Sequence, residues 1–550
     1  MEADSGLQFD FSYGEGTSWE QMLAFETAGM MWSDYISDDM TVNIHVEMTD
    51  TLPDNVIGGA LPGMVADVNY TEFRNAYQND ITTWRDQRNF DSLSILREGS
   101  GGIGPGGTWE KFEARIDFGG DHFIEDSGEL NMTRANAKAL GLISGNDAGL
   151  DGYIKMNKLS NSSLEWDYSR DWTPKNTLDF LSTAVHEVGH VLGFVSGVDK
   201  YEGVKFSDID AFWNHFGTYD AFKDFTNDVL DHANPLDLFR YSSESLAINN
   251  GRNTIDMSIG TQAFFGPAQL WDAFATGKET SIDGDGFQAS HWRYSDNNSN
   301  IQGIMDPLMQ PGVIRRISNR DLRAMDAIGY SVTSRGNELL DLDAKLGVWK
   351  PMTAAGTDIG TEMGTLQWRA KDHLAKSLYN NGEASWVNWW MQNAPGYSSA
   401  LTRDRSWEID NMIDKSQVYE GRRSRSGSSR SYSRQEIFFA ESYFSSIDAK
   451  YFNAAPASGS DMSSTLKPVV EVDESESNTN LLARDEVTLP VDNRDNAVVS
   501  TVEMNLISLT EEDAANSDNT ISTKMNRELT TDFSLYTDSS ATSNSAMILA

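Results

Sequence analysis

Cysteine is absent from the 550 residues, which excludes disulfides, thiol nucleophiles and thiolate metal sites. Basic residues are few: 43 Lys and Arg stand against 83 Asp and Glu, for a formal net charge of -40. A chain this acidic repels nucleic-acid phosphates and anionic membranes, so neither is expected as a partner. The excess of acid reads most simply as a solubility device, with a pull on basic substrates as the second reading. No apolar run reaches the roughly 18 residues that a membrane helix needs, so no membrane span is expected. The opening Met1-Glu2-Ala3-Asp4 has no basic stretch leading into an apolar core, so no signal peptide is visible. The expectation is a cytoplasmic chain, or one whose signal was removed before this numbering. Histidine is also scarce, with 8 in the chain, so two at a chemically useful spacing carry weight.

What is present suffices for a sizeable core: 39% of residues are hydrophobic and 11% aromatic, in a chain too long for one compact unit. Ser18 can cap a helix whose apolar positions are Trp19, Met22, Leu23, Phe25, Ala28 and Met31. Met40 to Met48 alternates apolar and polar as a strand does, a turn is expected at Gly58 and Gly59, and a second helix from Tyr70 to Trp84. The glycine-rich stretch Gly99 to Gly107 lacks a following Gly-Lys-Ser/Thr, so it reads as a loop rather than a phosphate cradle. Gly152 to Asn157 is a short strand, and Pro174 leads into a helix from about Thr177 to Leu192. The region from about 197 to 290 is irregular and reads as a long insertion. Asn319, Leu322, Met325 and Ile328 share one face of a helix that starts at Ser318 and stops at Gly329. Residues 336–455 mix tryptophans into helical patterns and contain the Arg/Ser-rich run Arg422 to Arg434, read as a solvated loop. Residues 456–550 are rich in Ser, Thr, Asn and acid, and a tail of low order is expected.

The chemistry concentrates in Ala184-Val185-His186-Glu187-Val188-Gly189-His190-Val191-Leu192-Gly193. On a helix, His186 and His190 lie one turn apart on one face and offer two nitrogens to one Zn²⁺. Glu187 stands beside them, where it can take a proton from water. Composition alone produces His-Glu-x-x-His on the order of once in a hundred such chains, and the bland alternative is two histidines that bind nothing. A catalytic zinc needs a third ligand. Three residues past Gly193, where a further histidine is sought, stands Ser196, a poor ligand. The candidates that remain are Glu202, His215, His232 and His291. His291 lies in Gln288-Ala289-Ser290-His291-Trp292, shortly before Gly303-Ile304-Met305-Asp306-Pro307, whose Asp-Pro pair suits a turn.

His-Glu-x-x-His-x-x-Gly-Phe, a long insertion, Ser-His-Trp and then Ile-Met-Asp-Pro resemble leishmanolysin-like metzincins, and more closely a poorly characterised family of bacterial secreted HExxH metalloproteases. The resemblance covers roughly residues 40 to 335. It implies an α+β catalytic domain over 1–335, with a twisted mixed sheet, an active-site helix ending at Gly193 and a lower subdomain. His291 becomes the third zinc ligand and Met305 the methionine of the turn beneath the metal. Asp151 to Asn157 becomes the edge strand to which a protein or peptide substrate adds. Glu187 is then the general base of a secreted zinc endopeptidase, and the missing cysteine excludes a pro-segment thiol as its inhibitor. Many metzincins carry a tyrosine two residues past the turn methionine; here that place is Pro307, so an extra oxyanion donor must lie elsewhere. Calcium is the second candidate cofactor, at Asp283-Gly284-Asp285-Gly286, where the spacing falls short of a full EF-hand loop. The competing expectation is an extracellular binding or adhesion protein on an inactive metzincin scaffold.

Overall fold

The structure, a computed structural model, describes residues 6–98, 109–117, 122–168, 175–201, 230–248, 253–266, 272–278, 280, 283–294, 303–338, 340, 369–371, 373–374, 404–421 and 442–448. The chain divides into two units, Met1–Thr465 and Leu466–Ala550, and every described residue lies in the first. The glycine-rich stretch, Glu202, His215, the Arg/Ser run and the acidic tail lie outside the described residues. No described helix is long and apolar enough to cross a membrane.

The first unit is a mixed α+β structure built on a six-stranded sheet. The elements that position the site are β1 (Gln8–Tyr13), α1 (Trp19–Ser33), β2 (Thr41–Thr49), β3 (Val56–Pro62), β4 (Gly152–Asn157), α2 (Phe180–Leu192), β5 (Leu308–Met309), α3 (Asn319–Ala327), α4 (Ser406–Gly421) and β6 (Tyr443–Ile447). The strand order is β1-β2-β4-β3-β6-β5. β1, β2 and β4 run parallel to one another, and β3 is antiparallel to both β4 and β6.

Local chemistry explains the elements that the sequence made legible. Ser18 closes a capping box with Gln21 at the start of α1. Ser318 does the same with Asp321 at the start of α3, and Gly329, at φ 101°, follows its end. The helix expected from Tyr70 to Trp84 is two helices, Tyr70–Asp80 and Trp84–Ser92, because Thr83 caps a new start through Asp86.

Two expectations are corrected. Gly58 and Gly59 do not form a turn; they lie within β3, paired with Met156 and Lys155. A Cβ at Gly58 would stand 2.7 Å from Glu187 Oε1, so the glycine admits a close approach rather than a reversal. β4 is not the edge strand either: it is covered on one side by β2 and on the other by β3. The antiparallel β3 turns its other side to β6, which pairs along it. β6 comes from the region read as helical, of which α4 is one helix.

α2 packs between α1 and the sheet, and all of its side chains are buried. A helix buried all round needs a specific partner for each polar group. Asp179 caps its first turn through the Ser182 amide, and the buried Trp32 indole of α1 donates to the Val185 carbonyl at 3.0 Å.

Candidate metal centre

α2 carries His186, Glu187 and His190, and Gly193 ends it at φ 124°, a conformation that disfavours side chains with a Cβ. The chain then turns away into the insertion. Ser196 does not face the histidines; its hydroxyl donates to Asp237, and its amide donates to Ser290 Oγ at 2.8 Å. Asp199 accepts from the Ala289 amide at 2.6 Å and the Ser290 amide at 3.0 Å. Together Ser196 and Asp199 moor the segment that delivers His291.

His186, His190 and His291 come together as the one group of metal-ligating side chains among the described residues. All three are buried. His186 Nε2 lies 3.0 Å from His190 Nε2 and 3.2 Å from His291 Nε2. His232 sits in a turn apart from this group, and Asp283 and Asp285 gather no such group among the described residues.

Each ring's other nitrogen faces a backbone carbonyl: His186 Nδ1 meets Ile304 at 2.7 Å, His190 Nδ1 meets Phe194 at 2.7 Å, and His291 Nδ1 meets Gln288 at 3.1 Å. A carbonyl only accepts, so each Nδ1 carries the proton and each Nε2 presents a lone pair. Burial pushes the His186 pKa down to about 4, aided by Arg315. Burial and then the neighbouring histidines hold His190 well below its ordinary value, and burial and then His186 do so for His291. The rings are therefore neutral near pH 7, and three lone pairs converge with no proton to share. That is repulsive unless a cation stands among them. Zinc–nitrogen bonds of about 2.0–2.1 Å at tetrahedral angles separate neighbouring nitrogens by about 3.3 Å, close to the spacing here. The residues present fit a divalent metal with an imidazole-rich shell.

Glu187 is fully buried beside this cluster, and burial raises its pKa to about 8 against the lowering effect of Ser445. Its Oε1 accepts from the Ser445 amide at 3.1 Å and the Ser445 hydroxyl at 2.6 Å. Its Oε2 has no hydrogen-bond partner among the described residues. A buried carboxylate oxygen left open next to three convergent nitrogens is placed to handle a proton there.

Met305 is fully buried beneath the centre, and a Cβ at Gly189 would meet its sulfur at 2.5 Å. Asp321, at the start of α3, holds this turn. It accepts from the amides of Ile304 at 2.9 Å, Met305 at 3.2 Å and Ser318 at 2.7 Å. It also accepts from the Trp292 indole at 2.8 Å and the Ser318 hydroxyl at 2.7 Å. Replacing Asp321 with alanine leaves five buried or half-buried donors without this acceptor. A loss of about 3–5 kcal/mol is expected, read as a lower urea midpoint with the slope unchanged. An unchanged midpoint would contradict the role assigned to it. Arg315 ties the same turn to the rest of the site: its guanidinium bonds Asp306 at 2.7 Å, and its amide bonds Ser182 Oγ on α2 at 2.8 Å.

Several residues of the site carry no local signal in the sequence. Gln288 Nε2 donates to the Ser442 carbonyl at 3.0 Å, and Gln288 Oε1 accepts from the Phe444 amide at 2.9 Å. The Tyr443 ring stacks on His190 at 5.4 Å. The position of Gln288, three residues before His291, is the one hint that the sequence offers.

Comparison of the chain with protein-family models, with curated proteins and with solved structures finds no match in any of the three.

Proposed function

We propose that this chain is a secreted zinc endopeptidase of metzincin type, with His186, His190 and His291 as the metal ligands and Glu187 as the general base. The observation that carries the reading is the convergence of three neutral imidazoles, each fixed through Nδ1, beside a buried glutamate with an open oxygen. A structural zinc site closes its shell with four protein ligands, whereas three leave a position for chemistry.

When bound, zinc supplies Lewis acidity, polarising a carbonyl and acidifying water. The chain's own residues do the rest. Glu187 takes the proton of the attacking water and delivers it to the departing nitrogen. The edge of β3 aligns an extended peptide through backbone hydrogen bonds, which favours tolerance of sequence over selection of it. Met305 and the Asp321 cluster hold the floor of the site, so that the ligands keep one geometry.

The alternative of an inactive binding protein on the same scaffold has one observation in its favour: β6 pairs along β3 and lays Tyr443 on His190 and Ser445 on Glu187. Against it, an open buried carboxylate next to a metal site serves no binding role. The test is casein hydrolysis by the purified chain supplied with zinc, beside its Glu187→Gln form. Cleavage by the parent alone supports the peptidase; equal cleavage by both removes Glu187 from the mechanism.

A further inference from the structure

β6 lies where a peptide substrate would lie. It pairs antiparallel with β3, Tyr443 against Ala60, Phe444 against Gly59 and Ser445 against Gly58. Past Ser445 it pairs in parallel with β5, Ser446 against Leu308 and Ile447 against Met309. The Ser446 amide donates to the Pro307 carbonyl at 3.0 Å, and the Ile447 amide to the Asn55 carbonyl at 2.8 Å. On the other side of the catalytic residues, the Gln288 amide group grips the backbone of Ser442 and Phe444 as a neighbouring strand would. The backbone is therefore clamped on both sides of a single peptide group.

That group joins Phe444 to Ser445. Its nitrogen donates to Glu187 Oε1 at 3.1 Å. One peptide group thus has its nitrogen at the proposed base, within a strand whose Tyr443 ring stacks on His190, a proposed ligand. The flanking side chains fill pockets: Phe444 packs with Leu61, Tyr153, Ile409 and Ile413, and Ile447 packs with Ile57 and Met309.

We infer that Phe444–Ser445 is a self-cleavage site, at which the chain hydrolyses its own backbone in cis and so frees the cleft for other substrates. The inference rests on the peptidase reading above. One water is consumed. Its oxygen bonds to the Phe444 carbonyl carbon, the bond from that carbon to the Ser445 nitrogen breaks, and Glu187 passes the proton to that nitrogen. The products are a carboxylate at Phe444 and an ammonium group at Ser445, with no change of oxidation state. The preferred substrate by the same geometry is an extended segment with a large aromatic residue before the cut and a small one after it.

The experiment uses the full chain, purified in the presence of chelator and then given zinc. Intact mass and N-terminal sequencing should show a new terminus at Ser445. The rate should not change on dilution, and a tagged Glu187→Gln chain mixed in should stay whole. The Glu187→Gln chain alone should cleave about 10³-fold more slowly, and Ser445→Pro, which lacks the amide proton, should stay whole. A second readout needs no activity: in the metal-free Glu187→Gln chain, the amides of Ser445, Ser446 and Ile447 should resist hydrogen exchange. Exchange there as fast as in a free peptide overturns the inference. So does casein hydrolysis by a zinc-loaded chain whose Phe444–Ser445 bond stays intact, which leaves the peptidase standing with β6 as an inhibitor only. An Ile447→Asp chain, in which β6 is loosened, covers the case of a blocked cleft. If it binds zinc yet cuts neither itself nor casein, the peptidase reading falls and the inference with it.

Discussion

The Glu187→Gln substitution is expected to slow casein hydrolysis about 10³-fold, while zinc content and the unfolding midpoint stay near those of the parent. The expectation follows from what each oxygen of Glu187 does. Oε1 is an acceptor for the Ser445 amide and hydroxyl, and a glutamine carbonyl accepts both equally well. The packing of α2 against β6 is therefore retained. Oε2 has no partner among the described residues, so an amide nitrogen there breaks no existing bond. What glutamine removes is the capacity to accept a proton from water and return it to the leaving nitrogen. Casein turnover and zinc content measured on the same sample separate this from loss of metal. A Glu187→Gln chain that holds zinc and cuts at the parental rate places the base elsewhere.

The His291→Ala substitution is expected to strip the chain of zinc in a desalting step that leaves the parent with one ion per molecule. Loss of an outer partner of a metal-bound histidine typically costs about 10–100-fold in affinity, and loss of a ligand itself should cost more. Two imidazoles from one helix face remain, but the third comes from a segment held by Asp199 and Gln288 and cannot be replaced by Ser196, whose hydroxyl is engaged by Asp237. The measurement is competition against a chromogenic chelator, with far-UV circular dichroism to check the fold. Parental affinity in the alanine form assigns the third ligand to another residue.

The parts of this arrangement that depend on neighbours in sequence are legible without the structure. Ser18 and Ser318 announce their helices by capping, Met40 to Met48 announces β2 by alternation, and His186, Glu187 and His190 announce themselves by spacing. His291 stands out only through a resemblance, because the insertion that separates it from α2 has no period to count. The strand edges are not legible. Gly58 and Gly59 look like a turn in a short window, and the real use of Gly58, letting Glu187 and Ser445 approach β3, depends on partners far away in the chain. Tyr443 to Ile447 lacks alternation, and its strand character arises from pairing with β3 and β5; Glu187 and Ser445 are 258 positions apart. Gln288, Asp199 and Asp321 act through backbone amides that no sequence pattern points to.

The three imidazoles are anchored to carbonyls from three separate stretches, at Phe194, Gln288 and Ile304. His186 and His291 are 105 positions apart, so an ion held between them closes a very large ring in the chain. In the unfolded ensemble that ring is entropically unfavourable, by an amount that grows only with the logarithm of its length, about 0.6 kcal/mol per doubling. In a chain with no cysteine, a metal bound there would do the work of a covalent cross-link, and the insertion could lengthen or shorten at little thermodynamic cost provided that its two ends still met.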